Sequence, residues 1–248
     1  MGQFLTDKSF WEKGGFNFKL KKVDVVYADL FEKYFKPDPS LKCIEIGCFP
    51  GNYLIYFHKK FGYKIYGVEY LDKEEDLKRN FELNGIKEYK IFYEDFTKWK
   101  TDQKFDVVFS NGFVEHFKNY EEITEKHIHL LNKGGILFIA LPNFRYLQFI
   151  LHRIFDYENL LRHNLKVMDL KFFKRFLEER NFEIEYLGYY GGIGFWVRNL
   201  HKRNIVTKFI IKSIIYVTDI LRRYLKVKSH FFLSIYCLYC PAEALVSS

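Results

Sequence analysis

Five times between Leu41 and Leu141 the chain sets an apolar run of five to seven residues before a longer charged stretch: LKCIEI, YKIYGVE, YKIFY, FDVVFS and ILFIAL. Runs of that length are strands, and strands that alternate with helical stretches build a parallel sheet whose crossovers are helices. Helices are expected at about Asn52–Phe61, at Lys73–Leu83 and from NGFVEHF to about Leu131, with a turn at NKGG before the fifth strand. Pro142 stops that strand. No repeat, low-complexity tract or Pro/Ser-rich linker interrupts the pattern, so one continuous domain is expected. An open parallel sheet takes its ligand at the carboxyl ends of the strands, where the winding reverses.

The first strand ends in EIGCFPG. Gly47 and Gly51 lie four apart, where bare backbone permits a sharp turn and close approach of a ligand, and they are expected to floor a pocket. Glu69 closes the second strand about twenty residues on and is placed to accept hydrogen bonds from the two hydroxyls of a ribose. A dinucleotide site wants G-x-G-x-x-G, so that a pyrophosphate can sit on the helix N-terminus. Here the spacing is G-x-x-x-G with Phe49 in between, which crowds a pyrophosphate and disfavours a nicotinamide dehydrogenase.

From about Lys42 to Phe182 these motifs resemble, in order, those of the class I S-adenosylmethionine (SAM) dependent methyltransferases. EIGCFPG is similar to the family's first motif, usually acid-x-G-x-G-x-G, from which Phe49 and Pro50 depart. GVEY resembles the second motif, EDF the stretch that meets adenine, FDVVFSNGFVEHF the fourth-strand motif, and LNKGGILFIALPN the fifth-strand turn and strand. The resemblance implies a seven-stranded, mostly parallel sheet in the order 3-2-1-4-5-7-6, the last strand antiparallel, with helices on both faces. Phe182–Tyr189 is then the sixth strand and Phe231–Cys240 the seventh.

It also implies roles. The acid Glu45 belongs to the first motif, and backbone at Gly47, Cys48, Phe49 and Gly51 would approach the methionine end of SAM. Glu69 would hold the ribose, with Tyr70 beside the adenine. Asp95 would accept from the adenine amino group and Phe96 present its amide or its face. Asn111 and Gly112 would line the route to the sulfonium methyl. The product would be S-adenosylhomocysteine.

Methyl transfer is an in-line displacement that needs alignment and, for an oxygen nucleophile, a base. Two histidines are candidates. His116 follows the fourth strand, and His163, in LLRHNLKVMDL, falls where relatives carry a lid. Each can instead be packing or lid surface. Arg145, Arg153, Arg162, Tyr146 and Tyr157 share the lid region and suit a sugar or an anionic group, although charge on a solvated helix face looks the same. His127 and His129 diverge on a helix and are expected at the surface.

The domain organisation expected is an N-terminal helical cap at 1–40 and a SAM-binding domain at 41–248, with a lid at 143–169 and a basic helical insertion at 198–230. That insertion holds nine lysines and arginines against one acid, Asp219, so the chain's whole net charge of +8 falls there and the remaining 30 bases and 30 acids cancel. A neutral body, and NGFV in place of an N-P-P-Y tetrad, disfavour nucleic acid as partner. An apolar stripe runs from Ile205 to Leu225 with Lys208, Lys212, Arg222 and Lys226 on the other side. It reads as a peripheral membrane contact through 203–226, or as a helix packed on the body or on a second subunit with its charged face in water. Lys212 and Asp219 exclude a spanning helix.

Four cysteines and no apolar N-terminal leader suggest a reducing, cytoplasmic setting, against the inner membrane face if the basic helix meets lipid. Cys237-x-x-Cys240 with Cys43 and Cys48 resembles a zinc set, but three strands, roughly 14 Å, separate the two pairs in the expected order. No metal is expected.

The function expected is O-methylation by a SAM-dependent methyltransferase. Its acceptor would be a small or carrier-linked molecule of bacterial surface-polysaccharide (capsule or lipopolysaccharide) precursor synthesis, such as a nucleotide-activated sugar or a phosphate-like group. The alternatives are a methyltransferase for a quinone-type lipid precursor, and a catalytically silent SAM-binding module. A homodimer is compatible with each.

Overall fold

The structure is a computed structural model that describes residues 4–6, 8–12, 23, 25–224 and 233–241. Five strands run parallel: β1 (Lys42–Ile46), β2 (Lys64–Val68), β3 (Lys90–Phe92), β4 (Phe105–Asn111) and β5 (Leu131–Pro142). Past β5 the sheet continues through β7 (Leu233–Pro241), antiparallel to both neighbours, to β6 (Tyr186–Ile193), in the order β3-β2-β1-β4-β5-β7-β6. The helices are α1 (Lys8–Glu12), α2 (Ala28–Tyr34), α3 (Asn52–Phe61), α4 (Glu74–Leu83), α5 (Tyr120–Ile128), α6 (Leu147–Phe155), α7 (Tyr157–Leu160), α8 (Leu170–Glu178) and α9 (Ile205–Tyr224). The chain winds outward from β1 to β3 and returns to β4, so the reversal lies between β1 and β4.

Both faces of the central strands are covered. Cys43, Ile44, Glu45 and Ile46 of β1 are all buried, the pattern of a strand between two layers of helix. One face is aromatic: Phe31 of α2 meets Phe57 of α3 at 4.8 Å, Phe138 of β5 at 4.9 Å and Phe109 of β4 at 5.8 Å between ring centres. The abundant phenylalanines therefore build this layer. The other face buries Phe172, Phe173, Phe176 and Leu177 of α8 beneath the same sheet.

Three boundaries differ from the sequence reading. NKGG does not precede β5 but lies inside it: Leu131 pairs with Phe105 and Ile136 with Val107, so the intervening residues bulge out of the ladder. Asp106 makes this possible, because its carboxylate accepts from Asn132 Nδ2 at 2.7 Å and from the Lys42 amide at 2.8 Å, joining the bulge to β1. The sixth strand begins at Tyr186, not Phe182, because Phe182 is drawn into the core cluster with α8 and its amide bonds back to Leu177. α5 ends at Ile128.

His127, expected at the surface, is fully buried, with its ring edge-on to Phe96 at 5.0 Å and to Phe113 at 5.9 Å, whereas His129 is exposed. Residues 13–22 of the expected cap and Lys226 and Lys228 of the basic segment lie outside the described residues, as do the side chains of Cys237 and Cys240.

Candidate functional site

A cavity of about 440 Å³ opens at the carboxyl ends of β1, β2 and β4, against the winding reversal. Its size suits a small-molecule ligand. Of the residues singled out in the sequence, Gly47, Phe49, Glu69, Tyr70, Asp95, Phe96, Asn111, Gly112 and His116 line it.

Gly47 turns the chain out of β1 at φ +72°, and a Cβ there would come within 2.9 Å of Phe113 Cδ2. Only glycine leaves that ring in place on the wall. Glu69, 5 % exposed, accepts the Phe49 amide on Oε2 and the Leu71 amide on Oε1, each at 2.9 Å. A carboxylate has about four lone-pair sites, so acceptor capacity remains on a side chain that lines the cavity. Burial pushes the Glu69 pKa up, and the amides of Leu71, Phe49 and Tyr70 pull it back. Two hydroxyl donors would relieve the remaining desolvation, which is the fit a ribose requires.

Asn111 is oriented from the far side of the chain by Tyr27, whose hydroxyl donates to its Oδ1 at 2.9 Å. Asp95 spends Oδ1 on the Thr97 amide and hydroxyl. Tyr70 is half exposed and stacks on Phe4, with ring centres 6.3 Å apart.

Glu45, Cys48 and Gly51 stand behind the wall. Glu45 is 4 % exposed, and burial, with Glu69 second, raises its pKa while the Leu54 amide of α3 lowers it. Cys48 packs on Gly67, where an added Cβ would meet its Sγ at 2.5 Å. Gly51, at φ +89°, starts α3, and its own Cβ would meet Phe81 and Leu77 of α4 at 3.0 to 3.2 Å. The left-handed backbone and the press of α4 both call for glycine there.

His116 lines the cavity and His163 sits behind it, ring centres 4.7 Å apart. His116 Nδ1 lies 2.9 Å from the Arg162 carbonyl and His163 Nδ1 lies 2.7 Å from the Asn159 carbonyl. A carbonyl only accepts, so each Nδ1 carries the proton and each Nε2 keeps its lone pair. Burial lowers the His116 pKa to about 4. Burial and then His116 itself lower that of His163 to about 2.

Between them and the turn at Gly112 lies Glu115, a residue the sequence reading passed over. It is fully buried, neither carboxylate oxygen has a hydrogen-bond partner among the described residues, and burial raises its pKa to about 8. Oε1 is 3.8 Å from His116 Nε2. Ligand atoms of Glu115, His116 and His163 all fall within 4.8 Å of one another, a convergence able to hold a proton or a cation.

The N-terminal segment was missed as well. Phe4, Thr6 and Lys8 line the cavity, the Leu5 amide donates to the His116 carbonyl at 2.8 Å, and Phe4 pairs with Phe117. Its FLT sequence carries no local signal for this.

In the expected lid, Arg145 pairs with Asp169 at 3.1 Å, and its guanidinium lies 5.2 Å from the Tyr146 ring centre. Arg153 lies 5.9 Å from the Phe149 ring centre, and Arg162 donates to the Glu158 carbonyl.

A glycine turn after β1, an acid closing β2 and a cavity at the reversal, on this strand order, define the class I fold of SAM-dependent methyltransferases. The chain belongs to the methyltransferase-domain family, whose model matches residues 20–187. Among curated proteins it is 23 % identical over 141 residues to pavine N-methyltransferase of Thalictrum flavum subsp. glaucum, covering 56 % of this chain and 37 % of that one. It is 32 % identical over 110 residues to the ubiquinone biosynthesis O-methyltransferase of Pelagibacter ubique (strain HTCC1062), covering 44 % and 45 %. The match to each thus spans less than half of that relative's length. A SAM-dependent methyltransferase from Thiobacillus denitrificans, solved with S-adenosyl-L-homocysteine, shares the fold at a TM-score of 0.56 and 14 % identity, over 86 % of this chain and 89 % of that one. SAM is the cofactor of this class.

Proposed function

We propose that the cavity holds SAM and that the protein methylates an oxygen of a small or carrier-linked acceptor. The observation that carries this reading is Glu69, a buried carboxylate with spare acceptor capacity on the wall of a cavity at the winding reversal. Glu69 would hold the ribose, Tyr70 the adenine side, and Gly47 and Phe49 the methionine end, with Asp95 and Phe96 by the adenine. Glu45, Cys48 and Gly51 would shape the turn from behind, and Asn111 and Gly112 would border the reacting end. When bound, SAM supplies a methyl carbon made electrophilic by its sulfonium.

His116 presents an unprotonated Nε2 near that end and would accept the proton of an acceptor hydroxyl. Burial keeps it neutral at pH 7, so its Nε2 lone pair is available for that proton. His163 would hold His116 in place or take the proton in turn. The segment 143–169 would lid the site and the helices of 1–40 cap it. The acceptor class, a nucleotide-activated sugar or a phosphate-like group of surface-polysaccharide precursor synthesis, rests on the arginines and tyrosines in the sequence of that lid, none of which lines the cavity among the described residues. The Pelagibacter relative favours a second acceptor class, a quinone-type lipid precursor.

Calorimetric titration with S-adenosylhomocysteine and, separately, NADH tests the reading, on wild type and on Glu69→Ala. Micromolar binding of the first ligand alone, weakened by the substitution, is expected. Binding of NADH, or of neither, would overturn it.

A further inference from the structure

α9 is amphipathic, yet it lies on the body the wrong way round for a surface helix. The sequence leaves two readings, a membrane-surface contact or a helix packed on the body with its charged face in water; the residues it buries are Ile211 and Thr218, on the side that meets β6. The stem of Arg222 also lies inward: a Cβ added to Gly192 of β6 would come within 2.5 Å of Arg222 Cγ. The opposite side carries Ile205, Val206, Phe209, Ile210, Tyr216 and Val217, which are 80, 65, 73, 43, 67 and 51 % exposed. At about 100° per residue these six span an arc of about 140°, the width of stripe that a helix normally buries. Single exposed apolar residues mean little, whereas a contiguous face marks a binding surface.

The start of the basic segment is tied to the corner of the lid helices. The Arg198 amide donates to Asp156 Oδ2 at 2.8 Å and Arg203 Nη2 reaches Asp156 Oδ1 at 3.5 Å. Asp156 is the corner between α6 and α7, where Ile154 and Tyr157 are 65 and 52 % exposed.

Charge selects the occupant. Lys208, Lys212 and Arg223 run along one margin of the apolar face, where the single acid, Asp219, is paired with Arg222 at 2.7 Å, in the segment that holds the chain's entire net charge of +8. A second copy docked about a two-fold axis would bring two such segments together, and an uncharged apolar partner would leave the cations unanswered. An anionic bilayer surface takes both the apolar face and the cations. No helix among the described residues is long and apolar enough to cross a membrane, so α9 would lie in the plane of the interface.

We propose that α9 is a monotopic docking helix for anionic lipid. Ile205, Phe209 and Tyr216 enter the headgroup boundary, and Lys208, Lys212 and Arg223 meet lipid phosphates. This inference does not depend on what the cavity binds.

Sedimentation of the full chain with vesicles tests it, comparing mixed phosphatidylglycerol and phosphatidylcholine with phosphatidylcholine alone. Wild type is expected to partition at least about tenfold more strongly onto the anionic mixture. The double substitution Phe209→Ser with Tyr216→Ser is expected to lose about tenfold or more on it. Lys208→Ser with Lys212→Ser is expected to lose about thirtyfold, at roughly fivefold per lysine. All four positions are outside the core, and unchanged melting temperatures check that the variants fold. Wild type remaining in the supernatant with anionic vesicles would overturn the proposal, as would apolar variants that sediment like wild type. A dimer in light scattering that Phe209→Ser with Tyr216→Ser makes monomeric, without vesicle binding, would overturn it in favour of self-association.

Discussion

Replacing Gly47 by alanine tests whether the turn after β1 is glycine for the reason argued. Two costs arise. At φ +72° the backbone is left-handed, which costs a residue with a Cβ about 1–2 kcal/mol. The new Cβ also stands 2.9 Å from Phe113 Cδ2, well inside ordinary carbon contact at about 3.5–4.0 Å. Phe113 cannot simply step back, because its ring is packed on Phe117 at 4.9 Å and on Phe96 at 5.6 Å. Overpacking of this kind costs about 1–3 kcal/mol. The two together come to about 3 kcal/mol, and at about 2–4 °C per kcal/mol for a chain of this size the melting temperature should fall by about 6–12 °C.

Gly85 supplies the control, with φ +74° and nothing among the described residues within 4 Å of an added Cβ. Gly85→Ala meets the backbone strain alone, about 1–2 kcal/mol, and should melt about 2–8 °C lower. Calorimetric melts with and without S-adenosylhomocysteine separate stability from ligand binding. In Gly47→Ala the displaced Phe113 enters the cavity, so the ligand should raise the melting temperature less than in Gly85→Ala. Should Gly47→Ala melt no lower than Gly85→Ala, the close contact with Phe113 is not what demands glycine.

Acid should destabilise the protein through its buried histidines. His116, His127 and His152 are each lowered by burial from 6.5 to about 4, so their contribution is complete above pH 6.5 and lost as pH falls through 4. Urea midpoints should drop over that window, less steeply in His127→Phe, and a flat profile would contradict the burial. Glu115 works in the opposite sense: its pKa, raised from 4.5 to about 8, gives stability present below pH 4.5 and lost as pH rises through 8. Glu115→Gln should therefore flatten the alkaline decline in urea midpoint, and an unchanged decline would mean the carboxyl is solvated. Once an acceptor is turned over, His116→Ala should lower kcat by about 100-fold or more, and near-normal turnover of both His116→Ala and His163→Ala would end the base assignment.

β1 to β4 and the helices between them were legible because each signal is local. An interior parallel strand must be apolar on both faces, and a crossover helix must follow it, so LKCIEI or FDVVFS announces itself within six residues. Glu69 at the end of β2 was legible for the same reason. NKGG was misread because whether a glycine pair ends a ladder or bulges within it depends on Asp106, in the neighbouring strand. Gly51 was read as a floor because its spacing from Gly47 is visible, while the α4 side chains that press on it are not.

The amino-acid sequence by itself determined the strand and helix periods, the glycine turn and the acid that closes the second strand, since each is settled by backbone sterics and hydrogen bonding over a few residues. Only the tertiary structure decided that Phe4, Thr6 and Lys8 wall the cavity, that Glu115, His116 and His163 converge across 48 residues, and that α9 turns its apolar face outward. An amphipathic helix satisfies its own backbone in either orientation. Which face meets the body is settled by shape on β6, where Gly192 leaves room for the stem of Arg222.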